Sequence, residues 1–383
     1  MPTAIRRLPM KSWSLLPLVL LVLHANGGTT SAQDAPPRSG ESATVPQVVS
    51  AASIANLPTR IAFGSCAHQD KPQPILRDIV EKQPNLFIYL GDNIYGDTKD
   101  MQVLRNKYQK LADKPEFKAL RASVATLSVW DDHDYGWDDA GKEYEFKEAS
   151  KEIFLDFWQV PTDSTRRNHA GIYGVHEFKS SGHVLQVILL DTRTFRDPLK
   201  RNPRPLPDGA SYEGKQLKNE YQPDPDPNKT LLGSEQWAWL AETLKRPADL
   251  RIMCSSIQFG HEYNGWESWT NLPREQRKMV DTIRAAKASG VLFVSGDVHW
   301  GEISRRRFDG LYPLYDVTAS GITQDWHNTE PNEFRVGNVF RKNHFGMLDI
   351  DWNLDDPTIT MQIVDVDGSI QVQHSVRMSE LKF

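Results

Sequence analysis

The chain has only two cysteines in 383 residues, Cys66 and Cys254, so at most one disulfide can form. Both sit at the ends of predicted strands, and a bridge between them would need a geometry that sequence does not supply. Nor is there a basic stripe. Acidic residues outnumber basic ones, 50 to 45, and the formal net charge is −5, which argues against a nucleic-acid partner. The one short basic run, Arg305-Arg306-Arg307, reads as a solvated strand end or turn. No internal repeat is found. No apolar run has the length of a confident membrane span; the longest, Leu15 to Leu23, is too short. With 39% hydrophobic and 25% charged residues, the chain can bury the core of an ordinary globular protein, as one large or two modest domains.

The N-terminus reads as a targeting segment, residues 1–32. Arg6, Arg7 and Lys11 precede the apolar run, and Thr30-Ser31-Ala32 supplies small residues for cleavage. Arg6-Arg7 also resembles a twin-arginine signal, with Pro9 in place of the usual aromatic residue, so the export route stays open. No cysteine follows the run, so no lipoprotein anchor is expected. Cleavage would remove three basic and no acidic residues, taking the net charge to −8. The product would be secreted or periplasmic, with no stable membrane anchor. Residues 33–57 read as a flexible linker, and 58–383 as the working domain.

From residue 60 onward, buried strands alternate with amphipathic helices. Strands are predicted at 60–63, 85–90, 123–129, 183–190, 250–257 and 291–294. Helices are predicted at 75–83, within 100–120, and at 143–159, 234–245 (with a serine cap) and 274–289 (closed by Gly290). This alternation implies a layered α/β protein. A β-rich region at 311–375 implies a second sheet. The Pro- and Asp-rich stretch 197–230 reads as a surface insertion, either a plain loop or a lid.

Six segments end an apolar run with polar residues: Gly64-Ser65-Cys66, Leu90-Gly91-Asp92-Asn93-Ile94-Tyr95, Trp130-Asp131-Asp132-His133-Asp134, Leu190-Asp191-Thr192-Arg193, Ser255-Ser256-Ile257-Gln258 and Ser295-Gly296-Asp297-Val298-His299. In open α/β sheets ligands bind beyond the carboxyl ends of strands. Carboxylates, imidazole, phenol and thiol gathered there can hold metals that activate water. Each segment alone also has a plain reading: a turn aspartate, a core tyrosine, a buried thiol. The Asp131–Asp134 run is the densest, and burying it without a cation would be costly. His68, two residues past Cys66, is a further possible ligand. Arg193 is a candidate for binding substrate phosphate, or else for a structural ion pair. His261, in a Trp-rich loop, is a second candidate for substrate binding, or for the pocket wall. Trp137, Trp266, Trp269 and Trp300 are candidate apolar walls for an organic ester group.

Taken in order, Phe63-Gly64-Ser65-Cys66, the segments at 90–95, 130–136, 190–193 and 295–299, and Leu232-Gly233-Ser234-Glu235-Gln236-Trp237 resemble the alkaline phosphatase D (PhoD-like) family of metallophosphatases over about residues 60–305; the strand ending Ile257-Gln258 lacks an immediate His. The resemblance implies a four-layer αββα sandwich, phosphodiesterase and phosphomonoesterase activity on small phosphate esters, and a site with Fe3+ and Ca2+. By resemblance Cys66, Asp92, Tyr95 and His299 map to the iron side, Asp92, Asp132 and Asp297 to the calcium side, and His133 to the catalytic histidine. Two departures bear on the metals. Asp132 stands where the broader superfamily has Asn, and Asp297 where it has the first His of Gly-His-x-His; more oxygen ligands favour hard ions. The separate N-terminal β-domain of some PhoD proteins is not expected, since only the linker precedes residue 60. The rival readings are a phospholipase- or nuclease-like diesterase on the same scaffold, and a non-catalytic binding protein that keeps the fold.

Overall fold

The computed structural model describes residues 48–383. The targeting segment, with Arg6 and Arg7, and most of the predicted linker lie outside the described residues. The end of that linker is not free chain. Val49 N–H donates to Arg121 O at 3.0 Å, and Ala51 and Leu57 are buried. Among the described residues no helix is long and apolar enough to cross a membrane.

Two sheets form the centre. The first runs β15-β14-β13-β1-β2-β3, from β1 (Arg60–Gly64), β2 (Leu86–Leu90), β3 (Ala125–Val129), β13 (His344–Asp351), β14 (Thr358–Asp365) and β15 (Ile370–Arg377). The second runs β12-β10-β11-β9-β8-β5-β4, from β4 (Gly174–Ser180), β5 (His183–Leu189), β8 (Leu250–Cys254), β9 (Val291–Ser295), β10 (Gly301–Arg306), β11 (Leu314–Ala319) and β12 (Arg335–Phe340). A separate two-stranded ribbon, β6 (Ser211–Tyr212) and β7 (Lys215–Gln216), lies in the 197–230 insertion.

Each sheet has a parallel half, β1-β2-β3 or β5-β8-β9-β11. Its strands are buried on both faces: β2, β8 and β9 have no half-exposed position. This is what continuous apolar runs encode when helices cover one face and another sheet the other. On the outside of the first sheet lie α1 (Ile75–Glu81), α2 (Met101–Asp113), α3 (Pro115–Ser123) and α5 (Lys147–Phe157). Tyr89 of β2 meets Phe117 of α3, and Trp130 meets Phe154 of α5. Outside the second sheet lie α6 (Gly233–Lys245) and α7 (Pro273–Ala286), packed on each other. The sheets face each other through β11 on β13 and β12 on β15. The result is the expected αββα sandwich.

Three expectations change. The C-terminal strands do not make a sheet of their own: β13 joins β1 antiparallel, while β10 and β11 join β9. Ser234 does not cap α6; it lies inside the helix. The helix's first amide, Gly233 N–H, donates instead to Thr230 Oγ1 at 2.9 Å, while the Glu275 carboxylate of α7 accepts from Leu231 N–H at 2.6 Å and Leu232 N–H at 3.3 Å just before the helix. And α7 is closed by Lys287 in the left-handed region (φ 48°), three residues before Gly290. Cys66 and Cys254 are both buried free thiols.

Candidate metal centre and its cavity

The six segments leave the carboxyl ends of β1, β2, β3, β5, β8 and β9, and the two sheets bring these ends to one side. Glycine permits the approach. A Cβ on Gly296 would sit 2.3 Å from Ser65 Oγ, across the gap between the sheets, and one on Gly91 (φ +99°) would sit 2.5 Å from Asp131 Cβ. Beyond these glycines the chain turns sharply. Cys66, Asp92, Asp297 and His299 all hold positive φ, 63°, 50°, 75° and 63°. Such a conformation costs a non-glycine residue on the order of 1 kcal/mol or more, and it persists where surrounding structure imposes it, commonly at functional sites. Here it falls on four of the six predicted ligands.

Those ligands converge. One ligand atom each from Cys66, Asp92 and His299 lie within 4.8 Å of one another, as do those of Asp92, Asp132 and His133, and of Asp131, Asp132 and Asp297. Cys66 Sγ is 3.4 Å from Asp92 Oδ2, and Tyr95 Oη is 3.3 Å from His299 Nε2. Burial raises the pKa of Cys66, Asp92, Tyr95 and Asp297, and nearby acidic groups raise it further. His299 is held down at about 4, by burial first and then by His133. Buried oxygens Asp92 Oδ1, Asp131 Oδ2 and Asp132 Oδ1 have no hydrogen-bond partner. An unpaired buried oxygen is expensive, and here three crowd together. A cation would satisfy them, and coordination would draw the protons off thiol, phenol and carboxyl. The donor set fits metal.

The residues of the Asp131–Asp134 run divide their roles. Asp132–Tyr135 is a single helical turn, α4, with Asp131 and Asp134 in a capping box. Asp134 also accepts from Asn93 Nδ2 at 2.5 Å, so it is structural. Asp132 faces the cavity, with Oδ2 accepting from Asp139 N–H at 2.6 Å. His133 lies beside it, its ring 4.2 Å from that of Tyr95. Its Nδ1 pairs with Asp97 Oδ1 at 2.7 Å, leaving Nε2 3.9 Å from Asp138. Burial alone would lower its pKa, but Asp132, Asp92 and Asp97 outweigh burial and hold it at about 12.

The cavity over this cluster has a volume of about 350 Å³. Its walls include Asp92, Asp132, His133, Asp297 and His299, and beyond them Asp138, Asp139, Arg201, Glu220, Tyr221, Trp266, Trp300 and Trp326. The 197–230 insertion therefore supplies one wall, through Arg201, Glu220 and Tyr221.

Neither predicted substrate-binding residue is in that wall. The Arg193 side chain is fully buried, clamped by Asp131 and by Glu267 (2.5 Å). Glu267 also pairs with Arg196 at 2.9 Å. This is the structural ion pair, with partners other than Asp191, whose carboxylate instead accepts from the amides of Ile172, Arg193 and Thr194. His261 is buried behind Trp300, its Nε2 3.6 Å from Glu302 Oε1. Of the six segments, Leu190–Arg193 and Ser255–Gln258 form frame: Gln258 bonds Glu302 and Thr318. His68 stacks on Tyr95 and accepts from Asp70 N–H. Trp266 and Trp300 line the cavity as expected, whereas Trp269 lies in the core and Trp137, half-buried, packs against it. Missed by sequence were Asp131, Asp139 and Glu267 in the carboxylate groups, Asp97 behind His133, and Arg201, Tyr221 and Trp326. Glu267 carried one signal, a carboxylate between Trp266 and Trp269 in a loop that had to be buried.

Fold and site together define a metallophosphatase sandwich. Residues 61–334 match the PhoD-like phosphatase family, and the chain belongs to it. It is 24% identical over 307 residues to alkaline phosphatase D of Bacillus subtilis (strain 168), covering 70% of this chain. The chain spans about half the length of that relative, 50%. A solved structure of PhoD superposes with TM-score 0.65 at 18% identity, covering 86% of this chain and 71% of that one. A second, described as the anchor in the inner membrane complex of Plasmodium, superposes with TM-score 0.53 at 12% identity, covering 84% of this chain and 89% of that one. These two likenesses concern the fold.

Proposed function

We propose that this chain is a metal-dependent phosphoesterase that hydrolyses phosphate diesters, monoesters or both with an activated water. The observation that carries this reading is the crowding of Cys66, Asp92, Asp131, Asp132, Asp297 and His299, three of them with unpartnered buried oxygens, with Asp92, Asp132, Asp297 and His299 facing one cavity beside His133. Cys66, Asp92, Tyr95 and His299 would hold ferric iron, for which thiolate and phenolate are apt. Asp92, Asp132 and Asp297 would hold calcium, a hard ion suited to carboxylates. When bound, such ions neutralise charge on phosphoryl oxygens and lower the pKa of a bound water.

His133 does the proton work. Asp97 fixes its ring through Nδ1, so that as an imidazolium it can stabilise phosphoryl charge or give its Nε2 proton to the departing alkoxide. Arg193 and Arg196 do not meet substrate in this reading. They neutralise Asp131 and Glu267 and so keep the carboxylates packed.

The test is metal analysis of purified protein alongside turnover of 4-nitrophenyl phosphate and bis(4-nitrophenyl) phosphate. Iron and calcium, with turnover of at least one ester that a chelator abolishes, are expected. Metal-loaded protein inactive on both esters would overturn the reading and favour the non-catalytic rival. We further propose export, from Arg6, Arg7 and the Leu15–Leu23 run. Mass spectrometry of native protein should find cleavage near Ala32, and retention of residues 1–32 would refute it.

A further inference from the structure

Three indoles, of Trp266, Trp300 and Trp326, stand in the cavity wall. Trp300 is 1% exposed, so its ring is spent on packing. Trp326 is different. It is 38% exposed, among the few large apolar side chains left open to solvent in the described residues. Its indole is nonetheless held in place. Nε1–H donates to Asn328 O at 3.1 Å, and the ring lies edge-to-face with Trp266, centroids 5.9 Å apart at 84°. It also sits 6.4 Å from the ring of His299.

The loop that carries Trp326, between β11 and β12, is tied down at both ends. Near its start, Ile322 N–H and Thr323 N–H donate to Ser65 O and Cys66 O at 3.2 and 3.1 Å, and Thr323 Oγ1 donates to Cys66 O at 2.8 Å. Near its end, Glu330 accepts from Asn219 Nδ2 at 2.9 Å and pairs with Lys218 Nζ at 3.2 Å, both in the insertion that supplies Tyr221. A large ring fixed in orientation, open on one side and anchored to the loop of a metal ligand, has the properties of a stacking surface. Single exposed apolar residues are ordinary; one pinned against a second indole at the mouth of a polar cavity is not.

We propose that Trp326, backed by Trp266, stacks a planar aromatic ring on the ester group that stays on phosphorus, so that the preferred esters carry an aryl or nucleobase moiety there. The proposal rests on the phosphoesterase reading and deepens it. Stacking on an aromatic side chain is worth on the order of five- to a hundredfold in affinity.

The experiment uses three 4-nitrophenyl phosphodiesters with one leaving group and different second groups: methyl, phenyl and 5′-thymidyl. For the wild-type protein, kcat/KM should be about tenfold higher with an aromatic second group than with methyl, chiefly through KM. Equal gains for phenyl and thymidyl support any planar ring; a gain for thymidyl alone supports a nucleobase. Trp326→Ala should shrink the aromatic-to-methyl ratio about tenfold, and Trp326→Phe should keep most of it. A wild-type ratio near one overturns the proposal. So does an equal fall on all three esters in Trp326→Ala, since Trp326 would then act only by supporting His299. Calorimetric titration with phenylphosphonate and methylphosphonate reads the same preference without turnover. If no diester is hydrolysed yet phenylphosphonate binds tighter, the platform stands and the phosphoesterase reading falls; equal binding removes the platform.

Discussion

His133 is oriented by Asp97, which takes Nδ1 at 2.7 Å and leaves Nε2 as the atom that can hand on a proton. Its replacement by alanine should lower turnover on the order of 10²–10⁴-fold with metal content near wild type. Wild-type-like turnover would take it out of the mechanism. Tyr95 offers a different signature. Its oxygen lies 3.3 Å from His299 Nε2 in a buried setting that disfavours a free phenolate, so phenolate character there would report a strongly charged metal. A visible phenolate-to-iron band is expected in the wild-type protein and should be lost or shifted in Tyr95→Phe; an active colourless protein would defeat the iron assignment. At this scale sequence named the ligand types but could not divide a run. Asp131, Asp132 and Asp134 are chemically identical, and only the turn of α4 decides that Asp134 caps, Asp131 meets Arg193 and Asp132 faces the cavity.

Among the elements, helix positions followed from periodicity, but their ends did not. The chain entering α6 is held by Glu275, 40 residues downstream of Glu235, the acidic residue in the helix's own first turn. Its carboxylate serves Thr230 Oγ1, Leu231 N–H and Trp237 Nε1 at 2.6 to 2.8 Å. Glu275→Ala would leave these donors buried and unpaired, and should lower unfolding free energy by about 3 kcal/mol, read from denaturant midpoints at constant m. A change within about 0.5 kcal/mol would show that water replaces the carboxylate. Serine looked like the natural cap because caps are usually local; the first amide, Gly233 N–H, is taken by Thr230 Oγ1 instead, and the Glu275 contacts that hold the entry come from another helix and leave no local pattern.

For the whole molecule, packing sets a pH limit. His344 is fully buried on β13 with both ring nitrogens engaged: Nδ1 is 2.7 Å from Lys342 O, and Nε2 accepts from Ser320 N–H at 3.2 Å. A proton on Nε2 would cost that acceptor. Burial holds the pKa at about 4, below the usual 6.5. Between those values the unfolded chain binds a proton that the folded one refuses, so stability rises with pH there and is lost as pH falls from about 6.5 toward 4. The full loss is roughly 3 kcal/mol. Urea midpoints at pH 7.5 and 5 should fall less in His344→Gln than in wild type; equal falls would place the acid sensitivity elsewhere. The same packing explains why sheet membership was illegible. Strands β13 to β15 read correctly as strands, yet nothing in their alternation says that they extend the first sheet past β1.

The sequence by itself determined the alternation of strands and helices, the glycine-ended strands that carry ligands, and through these the family. Each is a short-range pattern, set by side-chain period and backbone freedom. Tertiary structure alone decided which strands share a sheet, and that Arg193 is sealed among carboxylates while Arg201, Tyr221 and Trp326 reach the cavity. Those outcomes depend on pairings between residues tens to hundreds of positions apart. Such pairings are selected by the free energy of the packed whole, and they leave no mark on the local order of residues.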